Sequence, residues 1–200
     1  QVTALPREKH GLDDSYFVNS LFPQYEQYSR GVADWVMPVD ADEFIFHPQL
    51  KDILARGKTS GTEAFLCTGF SMISDNLPTT SGQIYDEISL GFPDRMESKW
   101  VIHSPDIHIR FRKGRHQPYD SRTFKVDRNS GIRLLHFRYL GERYLDSRDR
   151  KNLAGSKKAN PAHKGVYLHE NPRICPDGTK MNIDAWIKQN RKNAINALKT

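Results

Sequence analysis

Asp40-Ala41-Asp42-Glu43 sets three carboxylates within four residues, between the apolar runs Trp35-Val36-Met37-Pro38-Val39 and Phe44-Ile45-Phe46. Carboxylates this close repel one another, and apolar flanks hold them partly out of water. Both effects oppose ionisation unless a cation is at hand. Side chains alternate along an extended chain, so Asp40 and Asp42 are expected on one side with only Ala41 between them. Such a pair is a hard-oxygen site for Mg²⁺ or Mn²⁺, and Mg²⁺ in particular takes few protein ligands and leaves positions for substrate phosphates. The plain alternative is an acidic loop capping the helix that follows Pro48.

Other residues carry weaker signals. His136 lies inside the apolar run LLHFRY, where a satisfied core histidine is the default. Arg138 shares its face if the strand is regular and could pair with a phosphate. Lys99 stands at the edge of WVIH, either solvated or steadying a phosphate. RFRKGRHQ (110–117) is densely cationic, and His116 within it is a further candidate imidazole.

The elements that must position these groups follow from periodicity and breakers. Residues 13–30 read as a helix, capped by Asp13 or Asp14, with Phe17, Leu21, Tyr25 and Tyr28 on one face; Pro23 kinks or splits it and Gly31 stops it. Residues 35–39 read as a short strand ending in the acidic turn. A helix then runs from Pro48 to Gly57 with Leu50, Ile53 and Leu54 inward. Strands are expected at 64–70, 100–103, 106–112 and 131–140, with a loop-rich stretch from Ser71 to Glu97. A charged helix is expected at 142–155, a basic connector at 156–181 and an amphipathic helix from Ile183 to Leu198. Strand, acidic turn, helix, strand is an α/β order, and open α/β sheets bind ligands outside the carboxyl ends of their strands.

Composition narrows the classes. Two hundred residues at 37% hydrophobic and 27% charged suit a folded domain with a sizeable core. No run approaches the roughly 18 apolar residues of a membrane span. The net charge of +6, weighted to residues after Arg110, is a solvated surface or an attraction for phosphorylated ligands, anionic membrane or nucleic acid. Nucleic acid is disfavoured because Phe111 is the one aromatic interleaved in the basic stretch. The C-terminal helix, with Lys188, Arg191, Lys192 and Lys199 opposite Trp186 and Ile187, could lie on an anionic membrane surface. Cys67 and Cys175 form no metal-type pair and no disulfide framework; Cys67 is expected as a buried thiol in a reducing, cytoplasmic setting, with contact to the inner membrane at most peripheral. Phosphate-loop and nucleophile-elbow motifs do not occur, which counts against nucleotide triphosphatases and α/β-hydrolases. Nothing in the pattern sets an oligomeric state.

ADWVMPVDADEFI resembles the W-x-x-x-x-D-x-D-E-F signature of family-2-like glycosyltransferases of the GT-A fold. Further pieces agree in order: REKHGLDDSYFVNSL before it, then QIYDEI, KWVIHSP, the GxH element Gly114-Arg115-His116, and LLHFRY. The resemblance covers roughly residues 5–150 and implies a GT-A-type, Rossmann-like mixed sheet flanked by helices, with residues 1–155 the later part of the catalytic core and 156–200 a basic connector and helical tail. Such enzymes have further βα units that hold the base of the sugar nucleotide. Their absence before residue 13, with no initiator Met at Gln1, leads us to expect a piece of a larger enzyme.

The resemblance implies roles. Asp40 would contact the donor ribose or the metal, and Asp42 would bind Mn²⁺ or Mg²⁺ beside the diphosphate of a UDP- or GDP-linked sugar, where a dication stabilises the leaving group's charge. His136, matching a late histidine of the fold, or its competitor His116 would complete the metal site; neutral imidazole suits Mn²⁺. Glu43 would orient its neighbours. An inverting transfer needs a base for the acceptor hydroxyl, and Asp86 and Glu87 occupy about the right interval, with Asp75 a third choice. The implied reaction is metal-dependent transfer of a sugar to a hydroxyl acceptor such as a glycan. A metal-dependent phosphoesterase and a non-catalytic glycan-binding fragment are the rival expectations.

Overall fold

The computed structural model describes residues 17–79, 81–112, 115–119, 124–141, 173–174, 180–181 and 183–199. The expected cap at Asp13 or Asp14, the helix at 142–155, most of the connector at 156–181, Gly114 and Cys175 lie outside the described residues. The protein is a mixed α/β structure built on an open, mixed sheet.

A π-helical turn, Phe17–Leu21, leads into α1 (Phe22–Ser29). Pro23 sits in the first turn of α1, where its missing amide costs no hydrogen bond, and the expected helix is split there into the π-helical turn and α1. β1 (Glu43–Phe46), α2 (Leu50–Ser60) and β2 (Ala64–Ser74) follow. Next come the single turn α3 (Ile84–Glu87), β3 (Leu90–Pro93), a 3₁₀ turn (Arg95–Glu97) and β4 (Lys99–His103). β5 (Val126–Asp127) and β6 (Arg133–Leu140) complete the centre. The short pair β7 (Arg173–Ile174) and β8 (Lys180–Met181) stands in its own sheet, and α4 (Ile183–Arg191) and β9 (Ile195–Asn196) end the chain.

The main sheet runs β1-β6-β2-β3-β9, and the first half of β2 also pairs with β4 and β5. β2 is long because it serves two sets of neighbours. Its start lies antiparallel to β4, and its end lies parallel to β6 and antiparallel to β3. The apolar reading of 131–140 is observed as β6, central and buried between β1 and β2. Ile53, Phe65, Cys67, Val101, Ile102, Ile132 and Leu134 form the core under α2. A second cluster joins Phe70, Met72, Leu135 and Phe137 on the strands, and Ala197 just after β9, to Ile84 and Tyr85 of α3. Cys67 is a buried free thiol, its pKa pushed up to about 12 by burial and then by the nearby charge of Glu43.

Four expectations about elements are corrected. Residues 35–39 form no strand: only Val36 bridges, to His103, through Val36 N to His103 O (2.8 Å) and back (3.1 Å). Pro38 has no amide to extend that ladder, and its carbonyl is taken by the Arg115 guanidinium. α2 runs past Gly57 and ends at Gly61, whose φ of +71° supplies the left-handed cap; Gly57 instead admits Phe65, since a Cβ there would lie 2.5 Å from that ring. Residues 106–112 are irregular apart from a Phe111–Pro118 bridge, although the alternation still buries Ile109 and Phe111 and exposes Arg110 and Arg112. The C-terminal helix stops at Arg191, and Ile195–Asn196 joins β3. That edge strand brings the C-terminal segment into the main sheet. Ile187 packs near Ile73, Phe92 and Tyr139, so part of the helix's apolar face is covered by its own sheet.

α1 is tied down by charge. Glu26, 2% exposed, places Oε1 3.3 Å from His103 Nε2 and Oε2 2.7 Å from His108 Nδ1, and Arg30 Nε donates to the Pro105 carbonyl at 2.9 Å. Burial opposes ionisation of Glu26, but hydrogen bonds and charge from His103 and His108 outweigh it and hold its carboxyl below the ordinary 4.5. A depressed native pKa contributes stability that is present above the unfolded value and lost as pH falls through the folded one. Urea midpoints measured from pH 7 to pH 3 are therefore expected to fall below about pH 4.5, and the Glu26→Gln variant, weaker at neutrality, should show a flatter acid limb.

Candidate functional site

The acidic motif opens β1 rather than closing a strand. Glu43 N donates to Asp40 O at 3.0 Å, forming a β-turn over 40–43, and Asp40 N donates to Glu43 Oε2 at 3.1 Å, so the Glu43 side chain braces its own turn. A turn does not alternate as an extended chain does. Asp40 and Asp42 accordingly have different ion-pair partners, where an extended chain would have set them side by side.

Asp40, with a side chain 60% exposed, meets Arg115 Nη2 at 2.6 Å and Lys99 Nζ at 3.9 Å. Beneath it lies Glu43, whose side chain is fully buried. Its Oε1 takes the Lys99 ammonium and its Oε2 lies 3.5 Å from Arg115 Nη2. Arg115 is buried, caps the Phe22 ring at 5.2 Å and adopts φ +59°, a left-handed backbone that a non-glycine residue holds only when its surroundings dictate it.

Asp42 turns the other way. Its Oδ2 lies 3.4 Å from His136 Nε2, with the Asp42 side chain 33% exposed. His136 is cross-strand partner to Glu43 in the β1–β6 register, which places it beside the turn, and its Nδ1–H donates to Glu97 Oε2 at 2.9 Å. Arg138, on the same face of β6, reaches Glu97 Oε1 at 3.7 Å. Burial alone would lower the His136 pKa, but its hydrogen bonds to Asp42 and Glu97 and their charges raise it to about 9. Burial likewise opposes ionisation of Glu97, yet His136, Arg138 and Lys99 hold its carboxyl far below the ordinary range. Four carboxylates thus face two guanidiniums, an ammonium and an imidazolium in two sets, Asp40 and Glu43 with Lys99 and Arg115, and Asp42 and Glu97 with His136 and Arg138; the charge of Lys99 also reaches Glu97.

The structure brings Asp40, Asp42, Glu43, Lys99, His136 and Arg138 into these two sets. His116 lies next to Arg115 in the chain and hydrogen-bonds the Ser98 carbonyl through Nδ1 at 3.2 Å. Asp86 and Glu87 sit elsewhere, on α3, whose Tyr85 packs on Phe46 at 6.5 Å. Phe46 is the far end of β1, about 10 Å along the strand from Glu43. Glu87 accepts from Thr79 N (2.8 Å) and Thr79 Oγ1 (3.1 Å), and Asp75 is gripped by both Arg191 nitrogens at 2.6 and 3.0 Å.

Sequence reasoning missed Arg115 and Glu97 as site residues. The arginine sits in a basic run that reads as surface, and only its place beside the Gly114–His116 element marked it. Glu97 carries no motif. Its position depends on Asp94, which accepts from Met96 N at 3.0 Å and from Ser71 Oγ at 2.9 Å and so fixes the 3₁₀ turn on β2.

Among the described residues, no group of three or more His, Cys, Asp or Glu side chains is arranged to hold a metal ion. Asp42 and His136 are the oxygen and imidazole donors that could share one, a set that suits Mn²⁺ and leaves its other positions to phosphate and water. A bound cation would take the place of the proton on His136 Nε2. No helix among the described residues is long and apolar enough to cross a membrane. No protein-family model matches this chain, and neither a curated protein nor a solved structure matches it.

Proposed function

We propose that the protein is a glycosyltransferase of the GT-A type that moves a sugar from a nucleotide-sugar donor to a hydroxyl acceptor, with inversion. The observation that supports this most is the Asp40–Glu43 turn, which presents one aspartate to His136 and the other to Arg115 and Lys99 at the solvent edge of the sheet. Asp42 and His136 would hold Mn²⁺ or Mg²⁺, which supplies Lewis-acid stabilisation of the leaving diphosphate. Asp40, more exposed, is oriented by Arg115 and Lys99 to meet the donor. Arg138 adds positive charge on the face of β6 that carries His136. Asp86 and Glu87 remain the proposed bases for the acceptor hydroxyl, which would then have to lie toward α3, at the Phe46 end of β1. The enzyme would work in the cytoplasm, at most peripheral to the inner membrane.

Calorimetric titration of UDP and GDP, with and without Mn²⁺, tests the reading on the full chain and on Asp42→Asn. Metal-dependent binding that weakens by about tenfold or more in the variant is expected, since a carboxamide neither carries the charge nor ligates a hard cation as well. Metal-independent binding, or none by either protein, would sink the proposal. Hydrolysis of phosphate esters without a sugar acceptor would replace it with the phosphoesterase reading.

A further inference from the structure

Residues 110–112 pair antiparallel with 117–119 through the Phe111–Pro118 bridge, with Arg112 N bonded to Gln117 O at 2.9 Å and Tyr119 N to Arg110 O at 2.6 Å. Arg110 and Tyr119 are therefore cross-strand neighbours and Arg112 is diagonal to the ring, all on the face opposite the buried Ile109 and Phe111. Both guanidiniums lie against the Tyr119 ring, at 5.8 and 5.6 Å from its centroid, and the tyrosine remains 55% exposed. Among the described residues neither arginine has an ion-pair partner, so two cations flank an accessible aromatic surface. Arg115 N bonds back to Arg112 O at 2.9 Å, which ties Arg112 to the residue that holds Asp40.

We propose that Arg110, Arg112 and Tyr119 form a binding surface for an acidic glycan, the acceptor chain of the reaction assigned above, on which reading its catalytic meaning rests. The ring offers a platform for a sugar face, and the guanidiniums offer planar donor forks for carboxylate groups along the chain. A single-stranded nucleic acid would call for several stacking aromatics along a groove, and this surface has one. A lipid surface would call for apolar side chains free to enter it, whereas Ile109 and Phe111 are turned inward at 3% and 1% exposure.

The test is direct binding, without nucleotide or metal, of hexagalacturonate, maltohexaose and a thymidine hexanucleotide to the full chain. Hexagalacturonate is expected to bind best. Its affinity should fall about tenfold in the Arg110→Gln/Arg112→Gln double variant, the scale of one charge-assisted hydrogen bond, and less steeply in Tyr119→Ala. The double variant Lys51→Gln/Arg56→Gln, which removes the same charge from the exposed side of α2, should leave it unchanged. An equal loss in that control, equal or stronger binding of the oligonucleotide, or no hexagalacturonate binding would overturn the inference. The UDP and GDP titrations on the same variants separate the two readings. Acidic-glycan binding that survives failure of nucleotide binding keeps this surface and removes the transferase, and the converse result removes the surface alone.

Discussion

Glu43→Gln is expected to lower the free energy of unfolding by about 3–5 kcal/mol, the range observed when one member of a buried ion pair is removed. The carboxylate is fully buried and faces Lys99 and Arg115, whose side chains are only 6% and 5% exposed. Glutamine keeps an oxygen for the amide of Asp40 but removes the buried charge that both cations face, leaving them the half-exposed Asp40 and, for Lys99, the more distant charge of Glu97. The loss arises from uncompensated charge more than from a missing contact, so Glu43→Leu combined with Lys99→Met should recover a large part of it. Urea denaturation at neutral pH measures both. A single-variant loss under about 1 kcal/mol would mean that these cations reach water and that the cluster is open. Because the Glu43 side chain also braces the turn, metal-dependent nucleotide binding should weaken in parallel.

Gly69→Ala is expected to cost about 3 kcal/mol, at the upper end of the usual range for overpacking. A Cβ on Gly69 would lie 2.3 Å from the Glu97 carbonyl carbon, 2.5 Å from Ser98 N and 2.6 Å from Glu97 O. All three are backbone atoms of the turn that carries Glu97 to His136, and that turn is itself bonded to β2 through Asp94 N to Gly69 O at 2.9 Å and Gly69 N to Ser98 Oγ at 3.0 Å. Relief requires the turn to lift from the strand, which draws Glu97 away from His136, so metal-dependent nucleotide binding should fall along with stability. Gly91→Ala is the internal comparison. Its Cβ would come within 2.7 Å of Met72 Sδ, on a flexible side chain, and 3.1 Å of Ser71 O, so a loss of about 1 kcal/mol is expected. Equal losses at the two glycines would show that β2 and the 3₁₀ turn move together freely.

What lay in the sequence was local. The apolar run 131–140 reads as a strand, and it is observed as β6 over 133–140 with partners on both sides. Alternation at 107–112 identified which side chains turn inward even though the backbone there makes no ladder beyond one bridge. The acidic motif announced a cation-hungry turn because three carboxylates among apolar residues need compensation, and Asp42, His136, Lys99 and Arg138 were all identifiable by type.

Tertiary structure decided how that compensation is divided. Strand alternation, the rule applied to Asp40 and Asp42, fails within a β-turn, so the two aspartates diverge, one to Arg115 and one to His136. Arg115 comes from a hairpin far along the chain and Glu97 from a 3₁₀ turn seated over a glycine. Neither has a periodicity to announce it, and Arg115 has only the GxH element around it, because each is placed by contacts between segments distant in sequence. The C-terminal strand was hidden for the same reason. Ile195–Asn196 continues a helical pattern in its residues, yet it pairs instead with Gly91 and Leu90 at the free edge of β3, a partner that lies about a hundred residues away in the chain. Composition and spacing determined which residues need partners; only the fold determined which partner each receives.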